Sequence, residues 1–202
     1  AVTLRNNIVV NLSIAAGTGL TVAYRRSSAI LNTYDPSSNN NLLYAGTPGT
    51  SNQIFYDGSN ADQTLSGYKT RVWPRDNSTV TENPPFLSTT GSSANFLHIN
   101  TAVATQTESG GMPVSEITSD YDGDARNIST PDIGADEFNG IALDITGPSI
   151  IYPPLPTTLC PSDQTISAAI ADPSGVNSSA GTKPRLYFKK QSDDNTYAGN
   201  TS

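Results

Sequence analysis

A cluster of acidic residues between positions 120 and 137 is the part of this sequence with the clearest capacity for chemistry. Asp120, Asp122 and Asp124 alternate around Gly123, as the first ligands of a calcium-binding loop do. An EF-hand loop would place a bidentate glutamate at its twelfth position, but that position is Pro131 here. Because the strict motif fails, a Ca2+ site made by the three aspartates stands as one of two hypotheses.

The other hypothesis gives the same stretch a structural role. Asp122-Gly123 would form a tight turn, and Arg126 would pair with a carboxylate. Ile133 and Phe138 would close the apolar end of a repeating fold, and Gly134 would permit a sharp bend. The polar outer face of this cap would be made by Asp132, Asp136 and Glu137.

Residues that could serve a polysaccharide lyase or hydrolase are also present. His98 lies in the segment FLHIN, where the alternation of a strand would turn it away from Leu97 and Ile99. The cationic residues that could join it are Arg25, Arg26, Lys69, Arg71 and Arg75. No carboxylate pair can be assigned the separation that glycoside hydrolysis requires. The sequence therefore predicts no catalytic or cofactor-binding residue, and the chain is not expected to be an enzyme.

Three aromatic residues could instead form a surface that stacks on sugar rings, namely Trp73, Tyr68 and Tyr56. The stretch 61–72 has its apolar residues at helical spacing, with Asp62 as a candidate N-cap. A tryptophan that follows a short helix more commonly packs against the protein, and packing is the predicted role of Trp73.

The composition indicates which secondary structure the chain favours and which partners are not expected. The 202 residues are 35% hydrophobic and 14% charged, and abundant Thr, Val, Ile, Tyr and Asn favour strands and turns over helices. A net charge of −7 leaves no basic stripe for phosphates, so nucleic acid is not an expected partner. No apolar run approaches the ~20 residues that span a bilayer. The single cysteine, Cys160, is either a buried apolar side chain or has lost its partner with a missing segment.

Short apolar segments separated by Gly, Asn, Ser or Pro predict an all-β fold. The segments RNNIVVN (5–11) and SNNNLLYAG (38–46) lie about 34 residues apart, and each places Asn before an apolar strand. Asn tolerates left-handed backbone at a bend and can hydrogen-bond to the equivalent Asn of the next coil. Residues 1–142 are therefore predicted to form the last coils and cap of a parallel β-helix, with a β-sandwich with long loops as the alternative.

Residues 143–202 have a different character. The segments 164–172 and 183–191 alternate apolar and polar residues and are joined by turn residues, as in an antiparallel sandwich. The 60 residues from 143 to 202 supply about three of the seven strands that an immunoglobulin-like domain needs. The prediction is an incomplete immunoglobulin-like β-sandwich, and the chain is interpreted as a piece of a longer protein.

The segment DYDGDARNISTPDIGADEFNG (120–140) resembles the closing segment of bacterial right-handed parallel β-helix proteins. The segments at 80–88 and 94–111 resemble the coils that precede it, and 172–190 resembles immunoglobulin-like repeats of very large surface proteins of the Bacteroidetes. The resemblance implies a right-handed β-helix, and it implies relatives that leave the cell by type IX secretion and act as adhesins, sometimes in gliding motility. It does not specify a function, since enzymes and adhesins share this fold.

The expected function is that of a structural and adhesive segment of a large secreted or cell-surface protein. Expected partners are an extracellular polysaccharide or other surface ligand, and secretion or surface-anchoring proteins. Two alternatives stay open: the C-terminal portion of a β-helix polysaccharide lyase or hydrolase, and a secreted passenger captured with type IX secretion machinery.

Overall fold

The computed structural model describes residues 1–155, 163–172, 174–181 and 183–187. Cys160 and the end of the predicted strand 183–191 lie outside these residues. The chain divides into two units, Ala1–Leu143 and Asp144–Ser202. The elements of the first unit are β1 (Ile8–Val10), β2 (Thr21–Arg25), a 3-10 turn (Leu31–Thr33), β3 (Leu42–Tyr44), β4 (Asn52–Tyr56), β5 (Ala61–Asp62) and α1 (Leu65–Val72). The second unit contains β6 (Ser149–Ile151) and β7 (Ala169–Ala171).

The predicted right-handed parallel β-helix is wrong. β1 pairs with β3 and β2 pairs with β4 in parallel, but β5 adds to β4 in the antiparallel direction. Within the described residues the sheets have two or three strands, and none continues through successive coils. Beyond α1 the first unit has isolated bridges instead of strands. Pro84 and Pro85 contribute to this ending, because proline has no N–H to donate to a ladder.

The bends predicted at asparagine are observed even though the fold differs. Asn6 and Asn40 have φ of 54° and 55°, in the left-handed region. Asn7 Nδ2 donates to Asn41 Oδ1 at 2.9 Å, and the strand that follows each pair is in register, Ile8 opposite Leu42. The repeated asparagines thus align one pair of parallel strands and do not build a solenoid.

The predicted immunoglobulin-like sandwich is also wrong for the described residues of the second unit. Its described strands form a two-stranded antiparallel sheet, in which Ser149 is opposite Ala171. The predicted strand 164–172 shortens to Ala169–Ala171, and 183–187 contains no strand. Alternation of apolar residues is a weak signal when the partner strand needed to bury one face is absent from the described chain.

The core of the first unit lies where α1 packs against β4, and one residue of β3 joins it. Leu43, Ile54, Phe55, Tyr68 and Val72 are all buried there. The rings of Phe55 and Tyr68 lie 5.3 Å apart between centroids, a separation favourable for aromatic pairs. This packing holds α1 although the helix has only eight residues.

The N-cap of α1 lies two residues later than predicted. Thr64 is the N-cap, and its hydroxyl accepts a hydrogen bond from Gly67 N at 3.2 Å. Asp62 instead lies in β5, and its Oδ1 accepts from Arg71 Nη2 at 2.9 Å. The candidate cap thus ties the helix to the sheet through an ion pair.

A close backbone approach at Gly111 gives a test of the packing in the 73–143 region. Gly111 N donates to Pro131 O at 2.7 Å, and a Cβ at residue 111 would lie 2.7 Å from that oxygen and 2.8 Å from Asp132 O. Gly111→Ala is expected to lower the free energy of unfolding by about 1–3 kcal/mol, measured by urea denaturation of the intact chain.

Gly91→Ala is the matched control, because a Cβ there meets no atom within 4 Å. Its effect is expected to stay within about 0.5 kcal/mol. Equal losses of stability in the two variants would contradict the close approach at Gly111.

Candidate functional site

An open cleft of about 460 Å³ lies in the first unit, between the segments near residues 98, 122 and 136. Its polar lining includes His98, Asn100, Asp122, Asp124, Asp136 and Glu137. The three segments are separated by 14 residues or more in the sequence, so their meeting depends on the tertiary fold.

His98 is positioned by a short antiparallel contact. Its carbonyl accepts from Leu87 N at 2.8 Å, and Phe86 forms a bridge with Ile99. Leu97 has a φ of 61°, which is uncommon for a bulky residue. Regular strand alternation is interrupted there, so Leu97 is 43% exposed while Ile99 is buried. The predicted common direction of Leu97 and Ile99 is therefore wrong, but His98 does reach the cleft.

Asp122 is carried by a tight turn, as predicted. Asp120 N donates to Asp124 O at 2.9 Å, and Gly123 has a φ of 94°. Asp120 Oδ1 accepts from Asp122 N at 2.9 Å and from Asp124 N at 2.8 Å. Its Oδ2 accepts from Glu137 N at 2.9 Å, which ties the turn to the next segment. Asp120 thus organises the loop from which Asp122 projects.

These contacts also set the charge of Asp120. Partial burial acts to raise the pKa of its carboxyl, but the backbone N–H groups of Glu137, Asp124 and Asp122 lower that pKa below the ordinary value. The group is an anion with both oxygens already hydrogen-bonded. The hypothesis of a Ca2+ site at Asp120, Asp122 and Asp124 stays a prediction.

Asp136 approaches the same cleft from the segment that follows Gly134, whose φ of 116° makes the predicted bend. Its Oδ2 accepts from Ile99 N at 3.4 Å. Burial raises the pKa of Asp136 above its ordinary value, and the negative charges of Asp120 and Asp122 add to that effect. The Ile99 N–H and His98 act in the opposite direction.

Three potential metal ligands therefore converge. His98 Nε2 lies 3.5 Å from Asp122 Oδ2, and one ligand atom from each of His98, Asp122 and Asp136 lies within 4.8 Å of the others. His98 and Asp136 are half-buried, while Asp122 is exposed. No local motif in the sequence links these residues, since His98 and Asp136 are 38 positions apart.

Two other predictions for the acidic stretch have opposite outcomes. Arg126 does pair with a carboxylate, because its Nε lies 3.5 Å from Glu137 Oε2 and both side chains are largely buried. Asp132 does not belong to a polar outer face, since it is only 1% exposed. It accepts from Ser109 N at 2.6 Å and from Phe138 N at 2.7 Å. Burial raises the pKa of Asp132 to about 6.

The cationic residues considered for catalysis make contacts with other parts of the fold. Arg71 pairs with Asp62, and Arg75 Nε donates to Tyr34 O at 2.7 Å. Arg25 lies over the ring of Tyr56. Arg26 donates to Thr33 Oγ1 at 3.0 Å. Lys69 is partly desolvated by burial, which lowers the pKa of its amino group below the ordinary value.

The three aromatic residues do not share an exposed face. Tyr68 is buried in the core, Tyr56 is half-buried and Trp73 is 72% exposed. Packing as the role of Trp73 is therefore wrong, because the chain turns at the end of α1 and leaves the indole in solvent. Trp73 remains as a single exposed aromatic side chain next to the helix.

A buried carboxylate without any motif in the sequence, that of Asp76, joins distant parts of the first unit. Asp76 Oδ1 accepts from Asn41 Nδ2 at 2.8 Å and from Thr79 Oγ1 at 2.7 Å. Its Oδ2 accepts from the hydroxyls of Tyr34 and Tyr68. Burial, together with the Asp76 charge, raises the pKa of both tyrosines well above the usual range, so both hydroxyls stay protonated and donate.

Comparison with known proteins adds no assignment. The chain matches no family model, no curated protein and no solved structure. Among the described residues, no helix has the length and apolar character of a membrane span.

Proposed function

We propose that this chain is a non-catalytic structural and adhesive segment of a secreted or cell-surface protein. The observation that carries the proposal is the use of buried carboxylates as internal cross-links. Asp76 joins segments around residues 34, 41, 68 and 79, and Asp132 joins 109 to 138. These acids hold loops in place where long strands are lacking, which suits a module that displays a fixed surface.

A third cross-link of the same kind lies nearby. Glu82 Oε1 accepts from Gln106 N at 3.0 Å and from the hydroxyl of Thr105. Thr105 and Thr107 are fully buried, with their hydroxyl oxygens 2.8 Å apart. Hydrogen bonds between buried polar residues thus connect the segments of this region, as expected for a chain that is only 35% hydrophobic.

The expected ligand is an extracellular polysaccharide. Trp73 is the side chain chosen to stack on a sugar ring, because its indole is the largest aromatic ring system in the chain and 72% of the residue is exposed. The intact chain is expected to bind at least one member of a panel of insoluble polysaccharides, such as cellulose, chitin, pectin and alginate. Binding is measured by depletion of the protein from solution, and the same samples are assayed for released sugar ends.

Saturable binding without released sugar is the expected result. Trp73→Ala is expected to weaken it about fivefold, whereas Tyr121→Ala, which removes another exposed aromatic side chain, is expected to leave it unchanged. Absence of binding across the panel would overturn the adhesive role.

A second candidate is a polysaccharide-degrading activity, because His98, Asp122 and Asp136 converge in a cleft. Release of sugar products by the intact chain, abolished in Asp122→Asn, would favour this candidate over the non-catalytic role.

A further inference from the structure

The cluster of His98, Asp122 and Asp136 brings together three segments that share no strand. His98 follows the contact with Leu87, Asp122 projects from the turn organised by Asp120, and Asp136 follows the bend at Gly134. We propose that these three side chains bind one divalent transition-metal ion, of which Zn2+ is the representative, and that the ion fastens the three segments together.

The spacing of the ligand atoms suits such an ion. Zn2+ binds imidazole nitrogen and carboxylate oxygen at about 2.0–2.2 Å, so ligand atoms in a tetrahedral site lie roughly 3.4 Å apart. The separation of 3.5 Å between His98 Nε2 and Asp122 Oδ2 agrees with this. The Asp136 ligand atom is within 4.8 Å of both. It therefore has to approach each of them by at most about 1.4 Å to reach the tetrahedral spacing.

The ligand types distinguish this site from the predicted Ca2+ loop. Calcium takes six to eight oxygen ligands, whereas an imidazole nitrogen among two carboxylates is the donor set of Zn2+ and similar first-row ions. The two sites share Asp122 but differ elsewhere. The transition-metal site uses His98 and Asp136, and the calcium hypothesis uses Asp120 and Asp124.

The charges around the cleft favour a cation. Asp122, Asp124, Asp136 and Glu137 all line it, and Glu137 is paired with Arg126. Among the described residues of this lining, His98 alone can carry a positive charge. The mutual repulsion of the acids is relieved when a divalent ion lies between Asp122 and Asp136. Three protein ligands leave at least one coordination position for water or an external donor, as in open zinc sites.

The test uses the intact chain after treatment with a chelator and removal of the chelator. Titration calorimetry with ZnCl2 is expected to show one ion bound per chain, and saturating Zn2+ is expected to raise the midpoint of thermal unfolding. His98→Gln and Asp136→Asn are each expected to weaken the binding of Zn2+ by at least about tenfold. CaCl2 at the same concentrations is expected to give neither response.

Asp124→Asn is the matched control, because it removes the same charge from the same cleft without removing a proposed ligand. Its Zn2+ affinity is expected to stay within about threefold of the unaltered chain. Thermal unfolding in chelator shows whether each variant is folded before its affinity is compared.

Three results would overturn the proposal. They are no Zn2+ binding to the unaltered chain, equal weakening in Asp124→Asn and Asp136→Asn, or binding of Ca2+ alone that is lost in Asp124→Asn. The last result would favour the calcium loop. Binding of Zn2+ is independent of polysaccharide binding, so failure of the adhesive role and failure of the metal site are separate outcomes.

Discussion

Asp76→Ala is expected to lower the free energy of unfolding of the 1–143 unit by about 4 kcal/mol or more. The substitution leaves four buried donors without their acceptor, on Tyr34, Tyr68, Asn41 and Thr79. Each buried polar group left unpaired costs about 1–3 kcal/mol, and the disruption of a buried charged network commonly reaches 3–5 kcal/mol. Because small domains are stable by only about 5–15 kcal/mol, this loss removes a large share of the stability of the unit.

Two further substitutions distinguish the effect of losing the carboxylate from the effect of backbone strain at this position. Asp76 has a φ of 54°, which Asn and Gly adopt more readily than Ala. Asp76→Gly therefore removes the acceptors without adding backbone strain, and Asp76→Asn keeps Oδ1 for Asn41 and Thr79.

Asp76→Ala is expected to lose at least as much stability as Asp76→Gly. Asp76→Gly is expected to lose more stability than Asp76→Asn. Urea denaturation followed by tyrosine fluorescence measures these losses, because Tyr34 and Tyr68 are themselves in the network. If Asp76→Gly stays within about 1 kcal/mol of the unaltered chain, the network does not have the structural role assigned to it.

Lowering the pH from about 7.5 to about 4.5 is expected to stabilise the first unit by about 2 kcal/mol. The cause is Asp132, whose pKa is raised from 3.8 to about 6 in the folded chain. Burial is the main reason, and the charges of Glu108 and Glu137 add to it, against hydrogen bonds from Phe138 N and Ser109 N.

The direction follows from proton binding. Between pH 3.8 and 6 the folded chain holds a proton on Asp132 that the unfolded chain has released. The resulting stability is fully present below pH 3.8 and is lost as the pH rises through 6. Asp35 and Asp120, whose pKa values are lowered, act in the opposite direction only as the pH falls below their ordinary value of 3.8.

Asp132→Asn is expected to remove more than half of this pH dependence, and Asp136, whose pKa burial also raises, accounts for part of the remainder. Asp124→Asn serves as the control, since Asp124 is exposed. Urea denaturation at the two pH values provides the comparison. A stability that does not change between them, or an undiminished change in Asp132→Asn, would contradict the buried location of this carboxyl.

Local features of this fold are visible in the sequence because they depend on single residues. Asn6 and Asn40 make left-handed bends, Gly134 makes the predicted bend, and Gly123 the predicted turn. Such conformations follow from what one side chain permits. Parallel pairing of β1 with β3 also agrees with the spacing of the two asparagine-rich segments.

The arrangement of sheets could not be predicted in the same way. A parallel pair at one spacing is compatible with a long solenoid or with an isolated two-stranded sheet, and the difference depends on what the next segment does. Here β5 turns back on β4, and the chain after α1 pairs through single bridges. The resemblance of 120–140 to a closing segment therefore did not determine the architecture before it.

The candidate site could not be predicted from local sequence either. Asp76 and Asp132 look like surface acids in their local sequence, because the groups that bury them come from distant positions. His98 and Asp136 have no common motif, and their proximity depends on the pairing of Ile99 N with the Asp136 carboxylate. Asp122 was identified because it belongs to a local pattern, although its neighbour in space is His98.

The hydrogen bonds of Asp76 also bear on how quickly the first unit forms. Tyr34 and Asn41 reach Asp76 across 42 and 35 residues, and Asn6 meets Met112 across 106. Chain entropy is lost in closing such loops before any of these bonds contributes stability. Folding that depends on distant contacts is slow compared with folding through local helices and hairpins. The first unit is therefore expected to form few stable fragments during folding, and its loops are expected to become ordered together.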